Sequence, residues 1–117
     1  MSLATALLSC VLAAFMTFAG APKLSDTPRT RGMAEHLRVP TGLLRLVGLA
    51  EVAAATGLLV GLFATWAGVA AAAGLVVLLL GGVASHLRVK DGFAAAAPAF
   101  TAAVVAACVT VLHVAGS

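Results

Sequence analysis

Residues 52–85 form a run of 34 positions without one charged side chain. A single helix of that length would extend about 51 Å at about 1.5 Å per residue. The hydrocarbon core of a bilayer is only about 30 Å thick, so the run must cross it, turn and cross back. The natural break is Gly61-Leu62-Phe63-Ala64-Thr65-Trp66-Ala67-Gly68, because the amphipathic ring of Trp66 suits a membrane surface. This division predicts helices over 41–63 and 66–85.

Two further apolar runs frame this hairpin. Residues 3–21 are free of charge and end at Pro22-Lys23; the proline interrupts the helical ladder and the lysine can reach headgroups. Residues 94–115 form an apolar run whose one basic side chain is His113, and Pro98 falls near the helix start, where it is tolerated. With 62% hydrophobic and 9% charged residues, against about 25% charged in soluble domains, the chain cannot cover a water-facing surface. The expected fold is all-α: an integral membrane four-helix bundle forming one transmembrane domain over 1–117, with a surrounding of membrane lipid.

The polar connections are residues 22–40, punctuated by Pro28, Gly32 and Pro40, and residues 86–92. The first reads as a surface loop with an interfacial turn that sets Met33 and Leu37 on the membrane. Together with the start of the second helix they hold every Lys and Arg of the chain. The positive-inside rule therefore puts these loops in the cytoplasm and both termini outside. The net charge of +3 reports basic loops beside acidic headgroups and not a nucleic-acid partner.

Charged groups inside a membrane are expensive and mark sites by default. Glu51 lies about 15 Å along its helix from Thr41, near mid-bilayer, where an ionised carboxylate costs on the order of 3 kcal/mol. Arg45 is no partner for it: six residues turn a helix through about 240°, and Arg45 snorkels toward the headgroups. Glu51 is therefore either protonated or turned toward another helix, with Thr17 within reach by depth. Lys23, His86, Arg88 and Asp91 would ring a polar mouth above it. Either Glu51 binds or protonates a ligand there, or it fixes helix packing. His86, Arg88 and Asp91 read equally as a site or as an ordinary charged loop, and His113 as interfacial.

Cys10 and Cys108 show neither dithiol nor metal spacing and read as small apolar filler. A disulfide is conceivable geometrically, since both lie roughly 10 Å from the same membrane face. Small residues four apart, Gly57/Gly61 and Ala70/Gly74, suit close helix approach. Phosphate loops, zinc motifs and serine triads are absent from the sequence.

Three segments form a recognisable set: Phe18-Ala19-Gly20-Ala21-Pro22-Lys23-Leu24; Arg45-Leu46-Val47-Gly48-Leu49-Ala50-Glu51 with Thr56-Gly57-Leu58; and His86-Leu87-Arg88 with Asp91 and Pro98. In these the chain resembles the DoxX-like family of small four-helix membrane proteins. The resemblance implies a bacterial inner-membrane protein with Lys23, Glu51, His86, Arg88 and Asp91 as the positions to suspect, joined by Arg45 as a ligand-binding candidate. Functions in the wider family include subunits of a thiosulfate:quinone oxidoreductase, a membrane partner of soluble oxidative-stress enzymes and a receptor-assembly chaperone. Two expectations follow. One is an assembly or scaffold subunit that docks a protein partner or a second copy; the other is a subunit that binds a quinone or lipid through Glu51.

Overall fold

A computed structural model describes residues 2–25, 27–90 and 92–116. The described residues form helices and turns in the order α1 (Leu3–Gly20), a 3-10 turn (Ala21–Leu24), α2 (Pro28–Leu37), α3 (Thr41–Val60), α4 (Thr65–Arg88) and α5 (Phe93–Val114). Four stretches are long and apolar enough to cross a membrane: Leu3–Leu24, which includes the 3-10 turn, and helices α3, α4 and α5. Their outward faces are apolar, with Leu7, Val11, Phe18, Leu46, Val77 and Val111 all exposed. Such a surface is stable only against lipid.

Inside, the helices meet on small side chains. Ala13, Ala55, Ala72, Ala102, Ala103 and Ala106 are buried with Leu12, Met16, Leu58, Leu75 and Val109. The closest pairings are α4 with α5 and α1 with α3, while α1 and α5 touch much less. The bundle is thus two tight pairs joined by the α3–α4 hairpin. That hairpin turns at Gly61, where an added Cβ would lie 2.5 Å from Gly68 Cα. Only glycine permits backbones to cross so closely. Trp66 follows in the first turn of α4 and is exposed at this end.

The hairpin end and the end bearing the basic connections differ from the sequence reading in several details. Residues 22–40 do not form a plain loop: Thr27 caps α2 by accepting from the Thr30 N–H, Pro28 opens the helix, and Arg38 closes it in the left-handed region at φ 57°. Met33 and Leu37 turn inward to line a cavity and not outward to the membrane surface. Helix α3 stops at Val60, and α4 continues through His86 to Arg88, so that connection begins only at Val89. Pro98 lies sixth in α5, beyond the first turn, and denies the Ala94 carbonyl its helical donor. The Gly57/Gly61 pattern packs, against Ala71 and Gly68, whereas Gly74 of the Ala70/Gly74 pattern has open space around it.

Candidate functional site

The site grows from one close helix crossing. A Cβ on Gly48 would lie 2.7 Å from both the Gly20 carbonyl oxygen and Lys23 Cβ, and a Cβ on Gly20 would lie 2.8 Å from Glu51 Cβ. The missing side chains let the end of α1 press onto α3 one turn before Glu51. Immediately after Gly20 the chain tightens into the 3-10 turn, which carries Lys23 across to the acid. Lys23 Nζ donates to Glu51 Oε1 at 2.6 Å. Glu51 is only 3% exposed, so this charge-assisted contact answers the desolvation problem that its position poses.

The 3-10 turn is fixed from both sides. Thr30 donates its hydroxyl to the Pro22 carbonyl at 2.9 Å, which latches α2 beneath the turn. Arg45 donates Nε to the Leu24 carbonyl at 3.3 Å. Arg45 is therefore directed away from Glu51, as helix geometry requires, and holds the segment that carries the acid's partner. Thr17 does not reach Glu51: it is exposed and donates back to the Ala13 carbonyl of its own helix.

Beside the ion pair lies a cavity of about 520 Å³ between the two helix pairs, floored by α2. Its polar side chains are Lys23, Glu51, Ser85 and His86; the remaining walls include Phe15, Met33, Leu37, Val47, Val77 and Pro98. Size and lining match those of sites for small apolar molecules with a few convergent polar groups. The ion pair can offer a donor and an acceptor to one ligand head. The described residues hold no cluster of three His, Cys, Asp or Glu suited to a metal ion.

Of the residues singled out from the sequence, Lys23, Glu51 and His86 meet at this cavity. Arg88 is drawn elsewhere: its Nη2 donates to the Leu37 carbonyl at 2.6 Å and to the Arg38 carbonyl at 3.4 Å, capping the free end of α2. Asp91 lies outside the described residues. Cys10 and Cys108 are free and exposed on the lipid-facing surface, not packed as filler in the core.

The structure also buries two polar groups whose burial the sequence pattern did not signal. Ser9 and His113 are 0% and 4% exposed, and Ser9 Oγ and His113 Nε2 have no hydrogen-bond partner among the described residues. His113, in the last turn of α5, faces inward between helices and does not project outward. Its ring lies on Gly68, where an added Cβ would sit 2.5 Å from Nε2. A serine amid Leu and Ala carries no signal of this; a histidine near a helix end reads as an interfacial group unless the facing glycine is known.

The sequence model of the DoxX-like family matches residues 7–108. The chain belongs to the DoxX-like family. The match spans α1 through most of α5 and so includes the Gly20–Gly48 crossing, the ion pair and the cavity walls. With four apolar crossings, this DoxX-like chain is an integral membrane protein. Searches of curated proteins and of solved structures returned no match.

Proposed function

We propose that this DoxX-like protein is a membrane subunit that binds a membrane-soluble amphiphile of quinone or lipid type. The head of the ligand meets Lys23 and Glu51, and its apolar body occupies the cavity. The carrying observation is the buried ion pair facing a cavity of about 520 Å³ with mostly apolar walls. An ion pair needed only for packing would be better surrounded by side chains, because open space beside a core contact forfeits dispersion energy. Lys23 can donate to a carbonyl or ester oxygen while Glu51 accepts from a hydroxyl. We place the basic end in the cytoplasm of a bacterial inner membrane by the positive-inside rule; a C-terminal alkaline phosphatase fusion would then be active.

The test is native mass spectrometry of protein extracted in mild detergent. A bound amphiphile is expected on the wild type and lost from Glu51→Gln, while helicity and melting temperature show the variant folded. Unchanged ligand content in folded Glu51→Gln overturns the reading. One observation supports the assembly role as well: α2 buries Thr30, Ala34 and Leu37 and leaves Arg29, Arg31, Glu35 and His36 exposed at the basic end. Such a charged helix face suits a soluble partner protein, and a stoichiometric partner on gentle purification would establish it.

A further inference from the structure

A second cavity, of about 470 Å³, lies between α1 and α5, lined by Val11, Leu12 and Phe15 on one side and by residues including Ala97, Pro98 and Thr101 on the other. Phe15 and Pro98 also line the first cavity, so the two spaces adjoin at these side chains. The cause is visible in the packing. Helices α1 and α5 are neighbours that touch little, and α5 presents Ala94, Ala97, Thr101 and Ala102 to the gap. Small side chains normally let helices close together. Here Phe15 stands between them, and Pro98 removes one rung of the α5 ladder at the junction.

From these features we infer that the apolar chain of the ligand leaves the first cavity past Phe15 and Pro98 and lies in the α1–α5 groove. The ligand is then an amphiphile with one long hydrocarbon or isoprenoid chain, and it enters sideways from the bilayer. This rests on the reading of the first cavity as a binding site. Thr101 is the one polar side chain among the groove residues, so water gains little there. Adjacency to a polar cavity separates this groove from an ordinary gap filled by bulk lipid: Phe15 and Pro98 wall both spaces, and the first holds the Lys23–Glu51 pair. The chain gains nothing hydrophobic by moving from lipid to groove, so the head supplies the affinity and the groove supplies selection by shape.

The inference is tested with purified full-length protein in nanodiscs, using as probes a dimethoxy-methyl-benzoquinone with a decyl chain, the same ring without the chain, and palmitate. Ala97→Phe and Thr101→Leu fill the groove; Thr101 is exposed, so its replacement leaves the core untouched even if Ala97→Phe fails to fold. The wild type should bind at least one long-chain probe, and the chainless ring as well where decyl-quinone is the probe it prefers. Preference between decyl-quinone and palmitate identifies the head. Filling the groove should weaken the long-chain probe at least about tenfold, equivalent to about 1.4 kcal/mol, and change the chainless ring less than about twofold. Equal binding of the long-chain probe by wild type and folded groove-filled variants overturns the groove while leaving the cavity reading intact. If the wild type binds none of the three, the cavity reading fails and the groove with it.

Discussion

The two ends of the bundle treat buried polarity in opposite ways. At the basic end, Glu51 is held by a lysine from another element, with the 3-10 turn, α2 and open space around the pair. At the hairpin end, Ser9 Oγ and His113 Nε2 are sealed without partners among the described residues, and Gly61, Gly68 and the His113 ring fill the space between backbones. One end spreads its helices and pairs its charges; the other closes them over polar atoms and small residues. A formal charge cannot be left unpaired at such depth, whereas a lone hydroxyl or ring nitrogen without a hydrogen bond costs only a few kcal/mol. Space beside a paired charge can receive a ligand, and close backbone contact cannot. The hairpin end is therefore the hinge that holds the two helix pairs, and the basic end is where they part.

The contrast is broken most severely by removing the lysine. Lys23→Met strands the Glu51 carboxyl, a loss of about 3–5 kcal/mol by analogy with broken buried pairs. Lys23→Met combined with Glu51→Leu should recover much of it, as judged by denaturation in mixed micelles. If the double variant is no more stable than the single one, the pair is not what the lysine stabilises.

At the other end, Gly61→Ala should cost about 1–3 kcal/mol through its clash with Gly68. Bound amphiphile should fall only in proportion to unfolded protein. A selective loss of ligand from folded Gly61→Ala would mean that the ends are coupled. Smaller still is Arg88→Ala, which frees the α2 terminus at a cost of about 1 kcal/mol. Its clearest readout is faster proteolysis near residues 37–40 with the four crossings intact. Last, Ser9→Ala should be neutral or stabilising by up to about 1 kcal/mol, since it deletes a hydroxyl without a partner among the described residues. A marked loss of stability would show that the hydroxyl is satisfied in the membrane and that the two ends treat buried polarity alike.

Glu51 stood out in the sequence as a carboxyl at mid-helix depth, and Lys23 as a lysine at the end of an apolar run. Their pairing was not legible, because it depends on a 3-10 turn that redirects Lys23 and on Gly20 meeting Gly48. Glycines recur so often in this chain that spacing does not distinguish Gly48, which touches a backbone, from Gly74, which touches nothing. Arg88 was equally visible as a charge, but its target, the Leu37 carbonyl, belongs to a helix in a segment that reads as a loop. The cavity arises between helices and leaves no mark on any one of them.

The sequence by itself determined the number of crossings, their approximate limits and the concentration of basic residues at one end. Those follow from how many apolar residues a bilayer requires and from the cost of placing charge within it. Only the tertiary structure decided which helices pair closely, which lysine answers Glu51 and where the bundle stays open. Those depend on facing side chains from distant segments: one methyl group more at Gly20 or Gly48 would hold α1 and α3 apart.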